Sequence, residues 1–332
     1  MMNGLGEFLQ STIRATLGDA DATRELRLGA TAVGQSSKVP ADGGFLVPSD
    51  FRALLLDRIF SAGQLLQRVR RFETDAKELH LPLVDETSRA DGSRFGGIVL
   101  DWRDEAELLP LSKARFRTAA FIPEKLAAVI PVTAELAEDA VALEELFAGI
   151  FSSEAAFRLE DHAINGTGSG RPLGILNSGA LITVDKEGSQ PAATVNAANL
   201  TAMASRLFPN SWPNAIWLAN QTTLEQLFKV DTGRLVDFGP DGTTITGRPL
   251  IVHESCPALG GVGDLMLVDP SAYAVVERSF TFAVSPFVNF HNDEIHFRVT
   301  YRVDGQPLWH TATTPQRGGS TVSPFVALGE RA

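Results

Sequence analysis

Several groups of residues in this chain have the types and spacing that chemistry uses. Gly166-Thr167-Gly168-Ser169-Gly170 has the glycine density of a loop that cradles phosphate with backbone N–H groups. Such a loop needs a strand before it and a helix N-terminus after it, so that the helix dipole meets the anion. Here a helical pattern precedes the run and an extended one follows, and no Gly-Lys-Ser or Gly-Lys-Thr occurs. The run reads as a structural turn. His291, Asp293, Glu294 and His296 could ligate a metal, but strand alternation across 295–303 sends neighbouring side chains to opposite faces. They read as solvated loop residues. Cys256 has no His or second Cys near it in sequence and reads as an ordinary half-buried thiol. Glu135 and Glu138 could pair as general acid and base, yet a run of acids on a long helix is usually a solvated face. No Ser/His/Asp set stands out. The sequence therefore yields no catalytic, cofactor-binding or metal-ligating residue.

What would have to position such residues is a chain of 332 residues, long enough for two lobes or an elongated body. Hydrophobic residues make up 44% and charged ones 21%, inside the range of folded soluble proteins. No apolar run reaches the roughly 18 residues of a membrane span. Residues 1–17 carry Glu7 within their apolar part and lack a basic lead-in and a small-residue cleavage site, so no signal peptide is expected. With Cys256 alone, no intrachain disulfide is possible, in keeping with a reducing cytoplasm. A formal charge of −11 argues against general affinity for nucleic acid, which needs clustered Lys and Arg.

Along the chain, Leu5, Phe8, Leu9, Ile13 and Leu17 follow helical spacing and form a stripe too small to make a core without a partner surface. Residues 18–44 are polar, rich in Gly, Ala and Ser, and read as an extended arm. Helical spacing resumes over 51–60, and residues 78–84 alternate with Leu79, Leu81 and Leu83 on one face. The polar excursion from Asp85 to Arg117, with Gly92, Gly96, Gly97, Phe95, Ile98 and Trp102, returns through the alternating Phe116, Thr118 and Ala120. This reads as a long projecting hairpin. A lone two-stranded ribbon is marginal in water, so a neighbouring subunit is its natural support.

Leu126 to Val132 reads as a buried strand ended by Pro131, with Thr133 capping a helix and Glu135 in its first turn. From Ala134 to Ile164 the pattern predicts one long helix of about 45 Å at 1.5 Å per residue. Leu136, Ala140, Leu143, Phe147 and Ile150 form its apolar stripe. Its other face carries Glu135, Glu138, Asp139, Glu144, Glu145, Glu154, Glu160 and Asp161 against Arg158. Helices over 199–208 and 221–230 (capped by Asn220) then alternate with strands over 215–219, 249–253, 265–268 and 273–277. Longer strands cover 280–288 and 295–303, and 313–332 reads as a polar tail.

The order of these parts resembles the HK97-type major capsid proteins of tailed bacteriophages. The resemblance rests on Gly43-Gly44-Phe45-Leu46-Val47-Pro48 and on Asp161-His162-Ala163-Ile164-Asn165-Gly166-Thr167-Gly168 leading into Arg171-Pro172-Leu173-Gly174-Ile175-Leu176. It rests also on Ile216-Trp217-Leu218-Ala219-Asn220, the Asp231 to Arg234 turn and Gly247-Arg248-Pro249-Leu250, and it covers residues 43–316. It implies an α+β, HK97-like fold with an N-terminal arm (1–47), a first P-domain segment (48–84), an E-loop (85–118) and a P domain with spine helix (119–177). An A domain (178–279), a P-domain return (280–318) and a C-terminal tail (319–332) complete it.

By the same resemblance the chain is a structural subunit and not an enzyme, needing no cofactor. It self-assembles into pentamers and hexamers of an icosahedral head that encloses double-stranded DNA, with the E-loop lying over a neighbouring subunit. Residues 290–294 are implied to lie near three-fold contacts. A portal and a scaffolding protein are implied partners and a decoration protein a further one; no membrane is involved. The protein would reside in the virion after assembly in the host cytoplasm. The Lys–Asn weld of some members, promoted by a Glu, falls on Thr118, around Asp293 and around Thr300, so covalent welding is not expected. The acidic helix face reads either as a wall turned towards packaged DNA or as a merely solvated surface. An encapsulin-type nanocompartment shell is the alternative reading, and a soluble enzyme a distant third.

Overall fold

The computed structural model describes residues 5–30, 44–46, 49–102, 104, 111–230, 235–239, 242–289 and 292–331. Helix α1 (Leu5–Thr16) buries Phe8, Leu9 and Ile13, while Leu17 lies past its end and is exposed. Its partner surface is the chain's own body: the Gln10 amide donates to the Glu138 carbonyl at 2.5 Å. Gly18, at φ 97°, reverses the chain, and Asp19 accepts from the Asp21 and Ala22 amides to start α2 (Ala20–Ala30). The extended arm expected over 18–44 is thus helical in its first part. Ala22 and Leu26 supply its buried contacts; most of the remainder, 31–43, lies outside the described residues.

Strand β1 (Gly44–Leu46) and helix α3 (Ser49–Ala62) lead into β2 (Arg70–Glu73), β3 (Leu79–Val84), β4 (Phe116–Phe121) and β5 (Glu124–Thr133). β5 is not the buried strand expected over 126–132. It is the edge of its sheet, alternates between half-buried and exposed, and buries only Val132. Pro131 sits inside it, because an edge strand tolerates a missing N–H.

The long helix begins where the sequence places it, with Thr133 Oγ1 accepting from the Leu136 amide at 3.3 Å. It is not one piece. α4 (Ala134–Ala137) ends within a turn, and Asp139 starts a new helix by accepting from Val141 and Ala142 at 2.9 and 3.2 Å. The spine then runs through α5 (Ala140–Glu145), a π-helical stretch (Leu146–Phe151) and α6 (Ser152–Asn165). Leu143 and Phe147 are buried as predicted, but Leu136 is exposed and Ile150 is 66% exposed. The π stretch rotates Ile150 off the stripe. Ala155, Ala156, Leu159 and Ala163 continue the buried face, and Phe147 meets Phe297 edge-on at 5.0 Å.

A second layer follows with β6 (Ile182–Val184), α7 (Ala197–Arg206), β7 (Ile216–Ala219), α8 (Leu224–Lys229), β8 (Val236–Gly239), β9 (Gly242–Ile245), β10 (Arg248–Val252) and β11 (Leu265–Val268). β12 (Tyr273–Asn289) joins the two predicted strands 273–277 and 280–288 into one, irregular at Arg278. The expected boundary at 279/280 therefore falls inside a strand. β13 (Glu294–Pro307) pairs with it, and β14 (Phe325–Leu328) closes the chain's second sheet.

Two sheets result. One has the order β1-β12-β13-β5 with β2 beside β12, and α1, α3 and the spine share its core. The other runs β6-β14-β11-β7-β10-β9-β8 around Trp217, Leu265 and Val326. Over its described residues the segment expected as a tail, 319–332, is thus built into the body. Phe325-Val326-Ala327-Leu328 is buried throughout and lies between β6, to which it is parallel, and β11, to which it is antiparallel. Cys256 is fully rather than half buried; burial, and then the Asp264 carboxylate, push its thiol up to about 12. Such a thiol stays protonated and unreactive near neutral pH.

Candidate functional site

Two places carry the features from which a function can be read: the projecting hairpin, and the junction where the spine meets the second sheet. The hairpin's stem is the antiparallel pair β3–β4, from Leu79↔Phe121 to Val84↔Phe116. One stem face, with Leu79, Leu81, Leu83, Ala119 and Phe121, packs on Phe72, Ala274, Val276 and Leu308. The root is pinned to the second layer. The Arg89 amide donates to Thr314 O at 2.9 Å, the Thr314 amide to Thr87 O at 3.2 Å, and the Arg89 guanidinium lies 4.9 Å from the Phe208 ring centre.

Farther out, Gly96 sits at φ 77° where a side chain would press on Arg115 O, 2.6 Å from its Cβ. That close approach closes the ribbon through the Arg115 amide's bond to Gly96 O at 2.9 Å. Beyond this point the chain gains little cover. Leu100, Trp102 and Leu111 are 95%, 99% and 105% exposed, and Phe95 and Phe116 are more than half exposed. Residues 103 and 105–110 lie outside the described set. So many large apolar side chains on one projection mark a contact surface.

The junction explains the sequence signature at the end of the spine. Gly166 and Gly174 face one another, the Gly174 amide donating to Gly166 O at 2.8 Å. A Cβ on Gly174 would stand 2.5 Å from both Gly166 N and Ile164 O, and one on Gly166 would overlap Pro172 O. Here glycine is required by space, since Gly166 has an ordinary φ of −59°. The Leu173 amide donates to Gly305 O at 2.7 Å and the Tyr273 hydroxyl to Leu173 O at 3.0 Å, locking the turn onto β12 and β13. Asn165 donates to Ser255 O at 2.7 Å and so reaches the second sheet's loop. Gly174→Ala is expected to lower the stability of the unassembled chain by about 1–3 kcal/mol, the range of overpacking. Gly188→Ala, where a Cβ meets open space, should change it little. Urea midpoints of the two variants check this.

Glu160 departs from the acidic face expected for it. It is buried, and its Oε1 accepts from the Leu65 and Leu66 amides at 2.6 and 3.1 Å. Oε2 meets His253 Nε2 at 2.8 Å, and His253 Nδ1 accepts from the Ser255 amide at 3.2 Å. One carboxylate thus ties the turn after α3, the spine and the end of β10. Gly63 leaves the room: its Cβ would come within 2.7 Å of Glu160 Oε1. Sequence periodicity could not single out Glu160; the only signal was an acid in phase with Ala156 and Ala163. Among the metal candidates, His291 lies outside the described residues and His296 Nε2 lies 3.6 Å from Glu294 Oε2.

The sequence profile of the phage capsid family matches residues 43–313. The chain belongs to that family. No curated protein matches it in sequence. Among solved structures it resembles the capsid of an empty GTA particle (TM-score 0.60, 15% identity, 92% of this chain and 98% of that one). It also resembles a chain of Mycobacterium phage Cain (0.50, 15%, 80% and 90%) and the SrpI encapsulin of Synechococcus elongatus (0.51, 11%, 91% and 94%). These likenesses show the HK97-like α+β fold. As a member of the phage capsid family the chain is a major capsid protein, a structural component of the virion's head shell.

Proposed function

We propose that copies of this capsid protein close into pentamers and hexamers, and these into an icosahedral shell around double-stranded DNA. The observation that carries this reading is the hairpin, whose apolar outer half its own chain leaves exposed. A neighbouring subunit covers it. The contact joins different patches on identical chains, a heterologous geometry that closes by rotation. Residues 48–84, 119–177 and 280–318 act as the P domain, and 178–279 together with β14 as the A domain around the symmetry axes. The exposed spine acids Glu138, Asp139, Glu145 and Glu154, with the half-buried Glu144, turn towards the DNA without gripping it. Assembly takes place in the host cytoplasm with a portal and a scaffolding protein, and a decoration protein is a further partner. The subunit carries out no catalysis and needs no cofactor.

Images of purified particles test the reading. The expected result is angular heads with five-fold and six-fold capsomers and a DNA-filled interior. A small closed shell holding protein cargo would favour an encapsulin-type compartment instead. With Thr118, Asp293 and Thr300 at the weld positions, boiled particles should run as single chains of 35.7 kDa on denaturing gels. A ladder of covalent oligomers would overturn the absence of welding.

A further inference from the structure

The five-stranded sheet has one face in the core and one face outside it. On β13, Phe297, Val299, Tyr301 and Val303 enter the core shared with the spine, so Arg298, Thr300 and Arg302 stand on the opposite face. The chain's own hairpin covers one end of that outer face. Its stem packs on Ala274 and Val276, and the Gln306 side-chain amide donates to Ala120 O at 2.7 Å. Past the bulge at Arg278 the cover ends, and Ala127, Val129 and Arg298 are exposed.

The open part is cationic. Arg302 lies directly opposite Lys125, and Arg298, farther along the same face, lies opposite Val129. Like charges facing each other across two strands work against the pairing of those strands. None of these three cations forms an ion pair or hydrogen bond with a described residue. Asp304, next to Arg302 on this face, is occupied by the Ile122 and Gly305 amides at 2.8 and 2.7 Å, and Glu294 lies at the far end beside His296. Between the cations stand the short side chains of Ala127, Thr281, Ala283 and Thr300. In a chain of net charge −11, an uncompensated group of cations on a flat face with small side chains calls for an acidic partner from outside.

We propose that this open face seats the hairpin of a second copy, an assignment that rests on the shell reading. Residues 99–111 carry Asp101, Asp104, Glu105 and Glu107 against Arg103, together with Leu100, Trp102 and Leu111. Leu100 and Trp102 spread over Ala127, Val129 and Ala283, while the acids meet Arg298, Arg302 and Lys125. Two observations select this occupant. The charges of the two surfaces are opposite, which orients the approach and rejects wrong partners. The face also already takes a two-stranded ribbon at its other end, so a second ribbon laid beside the first continues an existing contact. A polyphosphate would satisfy the cations but leave Leu100 and Trp102 uncovered.

Photocrosslinking tests the contact directly. Particles are assembled from a mixture of heavy-isotope and natural chains with benzoylphenylalanine in place of Trp102, then irradiated, digested and read by mass spectrometry. The expected links join the hairpin of one chain to residues 125–131 or 295–303 of another, identified by their mixed isotopes. Mixed-isotope links to any other surface overturn the assignment and leave the shell reading standing, whereas a chain that forms no particles at all overturns both. Charge exchange gives a second readout. Arg298→Glu with Arg302→Glu should lower the yield of shells about tenfold or more at low salt, with the thermal transition of the unassembled subunit unchanged. Adding Asp101→Arg and Asp104→Arg to the same chain should restore most of that yield, which neither misfolding nor a different acidic partner would allow. A natural yield from the doubly reversed chain at every salt concentration, or no recovery in the fourfold variant, overturns the assignment.

Discussion

Arg331→Ala is expected to destabilise the unassembled subunit by about 3–5 kcal/mol, the cost of leaving one member of a buried ion pair without the other. Both Arg331 and Asp264 are fully buried, and all three guanidinium nitrogens donate. One nitrogen donates to Asp264, Nε donates to Thr194 O at 2.7 Å and Nη1 to Gly329 O at 2.9 Å. The backbone on either side is held as well, with the Arg331 amide on Gly260 O and the Ala193 amide on Arg331 O, each at 2.8 Å. Removing the side chain strands a buried carboxylate that keeps the Gly260 amide at 2.8 Å and the Leu265 amide but no cation.

Burial raises the Asp264 pKa, and Gly260 and Arg331 oppose that rise. Without Arg331 the rise should be larger, so the folded variant holds its proton more tightly than the unfolded chain does. An acid with a raised folded pKa favours the folded state as pH falls. The variant should therefore recover part of its loss on acidification, and Asp264→Asn in the same chain should recover part at neutral pH. Urea denaturation across pH reads both. A loss below about 1 kcal/mol, the size of an exposed pair, would show that the pair is open to water.

Deleting residues 88–112 should abolish shell formation and leave the subunit folded. The two large sheets do not draw on this segment: the stem strands β3 and β4 lie outside it, and its described contacts with the rest of the chain are few, Arg89 with Thr314, Glu86 and Phe208, and Gly96 with Arg115. What it supplies is exposed apolar area at Phe95, Leu100 and Trp102, each able to contribute about 1.5–3 kcal/mol when a neighbour buries it. Repeated around every capsomer, that loss is expected to prevent closure of the shell. Sedimentation should show no shells at concentrations where the natural chain assembles, with an unchanged thermal transition for the subunit. Normal shells from the deletion variant would remove the hairpin from the assembly contact.

The stem of that hairpin was legible because Leu79, Leu81 and Leu83 alternate against a single covered face. Thr133 was legible as a cap for an equally local reason. What escaped depended on partners far along the chain. Glu160 looks like its acidic neighbours until Gly63, Leu65 and Leu66 are brought against it. Ile150 obeys the stripe in sequence, and only a π turn removes it. The helix at 20–30 carries too few apolar residues for its period to show. Gly174 could be matched as part of a motif, but the reason for it, an amide and a carbonyl within reach of any added Cβ, lies in the packing.

The placement of β14 bears on the order in which the subunit can be made. Val326 pairs with Ile182, and Leu267 lies on its other side. While a ribosome is still adding residues after β13, the seven-stranded sheet has a vacant slot in its interior. β6 has no strand to hold it and β11 shows an open edge. Pairings this distant in sequence form slowly, and open edges invite the wrong partner. A growing polysome carrying many such chains would be the most hazardous place for them to meet. The slot delays closure of the seven-stranded sheet until synthesis has passed residue 328.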